Sequence, residues 1–174
     1  MNYSMMLAYH NDPSIKARYL ARVKAHAEAD EIIKGRYWEA GKGCAVGCTI
    51  HGSDHLLYET ELGIPARLAH LEDHLFERLP NGEAKKWPYL FLDSIQVGAD
   101  LLTIWQKWVL WQLGDPQHGV IRYTREKDGT RQAVQRVIDL YQQWPISAGA
   151  AWAAGAAAVK AQADKLIELL TSCS

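Results

Sequence analysis

Apolar and polar positions along this chain recur with the period of a helix rather than that of a strand. Asp12-Pro13 reads as an N-cap followed by proline at the first helical position, and Ile15, Tyr19, Val23, His26 and Ile33 then follow at helical spacing as far as Gly35. Ser53 is placed to cap a helix over 54–62 that Gly63 closes. Pro65 opens the next, with Leu68, Leu71, Leu75 and Leu79 as its apolar stripe and Pro80-Asn81-Gly82 as its stop. Pro88 interrupts the chain after Lys86, and a mostly helical stretch over 88–113, kinked at Gly98, comes next. Its second part is apolar nearly all round (Leu101, Leu102, Ile104, Trp105, Trp108, Val109, Leu110, Trp111, Leu113), which predicts a central, buried helix.

Gly114 and Asp115-Pro116 end that helix, and Asp128-Gly129 makes a turn. Val134, Val137, Ile138, Tyr141 and Trp144 line the following helix up to Pro145, and Ser147 starts an Ala-rich helix through Leu170. No segment sustains period-2 alternation between turn signals, although Thr49-Ile50 and Val120-Ile121 leave room for a short ribbon. The pattern predicts an all-α fold: one domain over 1–174, a bundle of six or seven helices with a glycine-rich, Cys/His-containing segment between the first and second.

Composition narrows the class without naming a function. The chain has 174 residues, 48% hydrophobic and 22% charged, with a net charge of −1. Mixed charge of that size gives no electrostatic footprint for nucleic acid or an anionic membrane surface, so neither is expected as a partner. The longest apolar run, Ile146 to Val159, is about fourteen residues and falls short of the ~20 needed to span a bilayer. Met1–His10 lacks a secretory pattern, and three cysteines are too few for a disulfide framework. The expected compartment is cytoplasmic, with reduced thiols.

Candidate chemistry concentrates in residues 41–55, GKGCAVGCTIHGSDH, which hold two of the three cysteines, two of the seven histidines and four glycines. Cys44, Cys48, His51 and His55 are spaced four, three, four. On a continuous helix they share a face, but Cys44 and His55 would sit ~16 Å apart, too far for one ion. A loop, which the glycines favour, could wrap Cys44, Cys48 and His51 around zinc or another transition metal, with His55 as fourth ligand. Alternatively these cysteines are small buried hydrophobes and the glycines mark close helix contacts. In a thiol-based version Cys44 or Cys48 attacks while His51 draws off its proton.

Glu39, Cys44, Cys48 and His51 stand in an order similar to that of the alkylhydroperoxidase-D-like proteins, over about fifteen residues. That resemblance implies an all-helical fold and thiol redox chemistry. Its cysteine pair is C-x2-C, whereas three residues intervene here, which alters the thiol-to-thiol geometry. Gly41-Lys42-Gly43 matches neither glycine-rich phosphate-binding pattern.

His70 and His74 lie at i, i+4, a spacing at which two imidazoles can share a metal, with Glu77 a turn further on; otherwise they belong to a solvated polar face. His26 and Asp30 have the same spacing, suiting a carboxylate that orients an imidazole. Glu59, Glu61, Glu72 and Asp73 supply carboxylates nearby. Trp105, Trp108 and Trp111 sweep one side of the apolar helix and are expected in the core. Two readings follow. In one, residues 44–55 form a metal-binding or thiol-based Cys/His site, joined by His70 and His74. In the other, the protein is non-enzymatic and binds a partner or a second copy through its Trp-rich or Ala-rich faces.

Overall fold

The computed structural model describes residues 6–143, and among these the fold is all-α: eight α-helices and one two-stranded ribbon. The chain forms two compact units, residues 1–105 and 106–174. The first contains a 3₁₀ turn (Ala8–Asn11), α1 (Pro13–Glu28), β1 (Trp38–Glu39), β2 (Lys42–Gly43), α2 (Ala45–Ile50), α3 (Leu57–Leu62), α4 (Ala66–Arg78), α5 (Asn81–Ala84) and α6 (Trp87–Ser94). Helix α7 (Leu102–Gly114) crosses the boundary in sequence; a 3₁₀ turn (Val120–Tyr123) and α8 (Thr130–Gln142) belong to the second unit.

Local signals placed several helix ends. Asp12 caps α1 by accepting the Ser14 N–H at 2.8 Å, with Pro13 in the first turn. Gly63, at φ 62, closes α3 in the left-handed conformation that glycine adopts without cost. Other ends follow from tertiary backbone pairing. α1 stops at Glu28 rather than near Gly35, because residues 31–33 pair elsewhere: Ile33 N donates to Gly43 O, and Gly43 N donates to Glu31 O. The helix expected over 88–113 is two helices. The Gly98 and Ala8 backbones hydrogen-bond between them, with Gly98 N to Ala8 O at 2.8 Å and Ala8 N to Ala99 O at 2.9 Å.

The centre of the first unit is α2, whose six residues are all buried. α1, α4 and α6 pack around it, bringing Tyr19, Val23, Leu68, Phe76 and Leu92 into one core. The small side chain of Ala45 lies fully buried in that core. The expectation of a central, buried α7 is corrected: none of its side chains is buried, and Leu102, Ile104 and Trp111 are exposed. Trp105 packs against the first unit's core, but Trp108 lies beside Trp111, and Trp111 stacks on His118. On α8, Ile138 is buried and Val134, Val137 and Tyr141 partly so, as the periodicity predicts. Trp144, Trp152 and the Ala-rich segment lie outside the described residues. Among the described residues no helix is long and apolar enough to cross a membrane.

Candidate functional site

The glycine-rich segment is half ribbon and half helix. Ala40 and Gly41, both at positive φ, turn the chain so that Trp38 pairs with Gly43 and Glu39 with Lys42. This folds the Tyr37 carbonyl back onto α2. A Cβ at Gly43 would lie 2.0 Å from that oxygen, and one at Gly47 only 1.5 Å. Both positions therefore require glycine to let a backbone cross the helix. The amide of Cys44 donates to Arg36 O at 2.7 Å, fixing the crossing.

Cys44 is the N-cap of α2, its Sγ accepting the Gly47 N–H. It lines a cleft of about 250 Å³ together with Gly35, Arg36, Tyr37, Asp73 and Glu77. Burial pushes the Cys44 thiol well above its ordinary range, and a hydrogen bond to the Asp73 carboxylate raises it further. Behind Asp73 lies His55, buried, with Nε2 4.0 Å from Asp73 Oδ2. The His55 ring stacks on His70 at 3.8 Å and takes the edge of Tyr37. Burial and the neighbouring His70 lower the His55 pKa, which favours the neutral ring.

The same end of α2 holds the polar groups that the fold leaves open. Among the described residues, His55 Nε2, Asp73 Oδ1 and Glu72 Oε1 are buried without a hydrogen-bond partner. Glu72 is fully buried on α4 and accepts Tyr58 Oη–H at 2.6 Å. Desolvation, with Asp73 beside it, pushes its carboxyl up to about 8. It is thus largely protonated at neutral pH, and Oε1 is the oxygen free to carry the proton.

His51, at the other end of α2, is its C-cap in a left-handed conformation, φ 53. Its Nε2 meets His26 Nε2 at 2.8 Å, and His26 Nδ1 meets Glu31 Oε2 at 2.6 Å. Trp38 stacks flat on His51 at 4.5 Å and takes His26 against its ring at a steep angle. Burial, Arg22 and His26 all lower the His51 pKa.

The four residues Cys44, Cys48, His51 and His55 therefore lie in different surroundings, and among the described residues no three His, Cys, Asp or Glu side chains are arranged to share a metal ion. Cys48 is buried with its Sγ against the carbonyls of Gly43 and Glu31, and its thiol is pushed up to about 12 by burial. His70 and His74 also part: the first stacks on His55, while the second is exposed and meets Arg78 Nη1 at 2.9 Å. Asp30 does not hold His26. It pairs with Lys85, and Glu31 takes its place. Glu39 pairs with Arg36 on the surface rather than with a cysteine.

Sequence reasoning missed Glu31, Tyr37 and Trp38, and left Asp73 without a partner. Asp73 follows His70 by three residues on α4, so the two share a face, a signal that was available. Comparison with family models, with curated proteins and with solved structures gives no significant match, so the site is read from its own chemistry.

Proposed function

We propose that the Cys44–His55 segment, together with Asp73 of α4, forms a binding site for a small cationic molecule bearing N–H donors, of the ammonium or amidinium class. The observation that carries this reading is Asp73 Oδ1, a buried carboxylate oxygen without a hydrogen-bond partner on a residue that lines the cleft, with His55 Nε2 likewise unpartnered behind it. His55 Nε2 stands 4.0 Å from Asp73 Oδ2, too far for a direct hydrogen bond.

An open carboxylate oxygen is satisfied by a donor that reaches it. Glu77, already accepting the Gly35 N–H, adds a second carboxylate to the wall, and Arg36, which also lines the cleft, pairs with Glu39. The cleft's 250 Å³ lies below the roughly 300–1,000 Å³ of drug-sized pockets, which sets the ligand at a few heavy atoms or at the end of a longer chain. Cys44 contributes shape and a weak donor. Its raised pKa does not suit it to act as a thiolate.

The test is a titration of the full chain with n-propylammonium, guanidinium and acetate at millimolar concentration, followed by NMR shifts of His55 and of the Cys44 amide. Saturable shifts are expected with both cations and none with acetate. Asp73→Asn should weaken cation binding at least tenfold. Shifts of equal size with acetate, or cation binding that survives Asp73→Asn unchanged, would sink the proposal.

A further inference from the structure

Where the end of α1 meets the start of α6, we infer a binding site for a free monoanionic amphiphile, a carboxylate carrying an alkyl or aryl tail. The site shares no lining residue with the Asp73 cleft and does not depend on that reading.

Two neighbouring side chains of α6 take no part in the core. α1 and α6 pack together, and Val23 and Leu92 are fully buried members of the core that they share. Leu90 stands two positions before Leu92, about 200° around the helix at 3.6 residues per turn, and is left 56% exposed. Tyr89 beside it is 37% exposed. Apolar residues exposed singly are ordinary on a protein surface. These two instead line one cleft of about 380 Å³, together with Ala27, Lys24, Lys85 and Lys86.

The cleft's cations outnumber the carboxylates paired with them. Lys85 pairs with Asp30, and Lys24 faces Glu28 across 3.8 Å with both side chains well exposed. Among the described residues the Lys86 ammonium forms no ion pair. A carboxylate that reaches Lys86 gains a charge-assisted contact without displacing a partner. Glu28 also lines the cleft, and its charge disfavours a second negative group on the ligand. The side chains of Ala27, Tyr89 and Leu90 offer only the Tyr89 hydroxyl as a polar atom, and the lysine stems extend that apolar surface. A hydrocarbon tail therefore leaves water there without forfeiting hydrogen bonds. The volume lies at the lower end of the roughly 300–1,000 Å³ of small-molecule sites, which fits one tail of medium length.

The experiment is an NMR titration of the full chain with sodium octanoate, octylammonium chloride and sodium acetate, each at millimolar concentration and below micelle formation. Octanoate should give saturable shifts centred on the amides of Ala27, Lys86, Tyr89 and Leu90. Acetate, which has the charge without the tail, should leave them unmoved. So should octylammonium, whatever it does at the Asp73 cleft. Lys86→Gln should weaken octanoate binding about fivefold and Leu90→Gln about tenfold, and both positions are exposed, so the fold is retained. Lys127→Gln, exposed in the second unit, should leave the affinity unchanged. Equal shifts of these amides with octylammonium, or unchanged affinity in Lys86→Gln, would overturn the inference. So would shifts centred on Ile32, Phe76 and Ala84, which line a different cleft, or unsaturable shifts spread over the surface.

Discussion

One short helix has two ends of opposite character. Beside Cys44 at its N-terminal end, Asp73 Oδ1 is buried without a hydrogen-bond partner, as are His55 Nε2 and Glu72 Oε1. At its C-terminal end, Glu31, His26 and His51 close a chain in which each group already has a partner. An unsatisfied buried polar group costs about 1–3 kcal/mol, so the first end is stabilised by anything that supplies donors. The second end, with its groups already paired, gains nothing by that route. α4 packs on this helix, and Trp38 of the 35–38 crossing stacks on His51, which still stays exposed at the C-terminal end.

The largest break in this comparison comes from the crossing on which both ends depend. In Gly47→Ala the new Cβ would lie 1.5 Å from Tyr37 O, a backbone atom with no rotamer to yield. Overpacking in a core costs typically 1–3 kcal/mol, and the backbone clash here places this variant at about 3 kcal/mol or more. Chemical denaturation should show that loss, together with loss of the cleft and of the His26–His51 contact. A Gly47→Ala protein with wild-type stability would mean that the Tyr37 crossing is not what the glycines serve.

The next effect separates the ends by pH. Folding raises the Glu72 pKa from 4.5 to about 8. Between those values the folded protein holds a proton that the unfolded chain has released, so Glu72 makes stability fall as pH rises through that window. Glu72→Gln keeps an uncharged group and an acceptor for Tyr58 while removing the titration. From pH 5 to pH 8 the variant should gain on wild type by about 3 kcal/mol, a relative rise in Tm of roughly 6–12 °C. Parallel melting curves across pH 5–8 would show that burial at this end does not hold Glu72 neutral.

What was legible in the sequence follows the range of the physics involved. Asp12-Pro13, Gly63 and Pro65 act within a turn of themselves, and each marked a helix boundary correctly. The all-α class came from the absence of period-2 alternation. The end of α1 and the split between α6 and α7 were not legible, since backbone pairing of Glu31 and Ile33 with Gly43, and of Ala8 with Gly98 and Ala99, decides them. Apolarity misled in α7, where hydrophobic side chains are exposed, while the buried centre is the small-residue helix α2. Residues 41–55 were found as the chemically dense segment, but their partners Glu31, Tyr37 and Asp73 come from two other segments. A spacing of four, three, four also suggested one shared centre, whereas α2 ends at His51 and sends its two termini in different directions.

The smallest expected effect concerns the two cysteines, which the comparison assigns unequal parts. Cys44→Ser keeps an acceptor for the Gly47 N–H and a donor toward Asp73, and serine is a favoured N-cap. Its stability should stay within about 0.5 kcal/mol of wild type. Cys48→Ser places a hydroxyl against Gly43 O in a fully buried position, exchanging soft packing for a hydrogen bond, and should cost about 1 kcal/mol. Because burial raises both thiols, neither should react rapidly with a disulfide reagent in the native protein at pH 8. Both should react once denaturant opens the core. A native thiol that reacts rapidly, and is lost specifically in Cys44→Ser, would reverse the assignment at the N-terminal end. Cys44 would then be a nucleophile facing the cleft, and Asp73 its acceptor for a proton rather than an anchor for a cation.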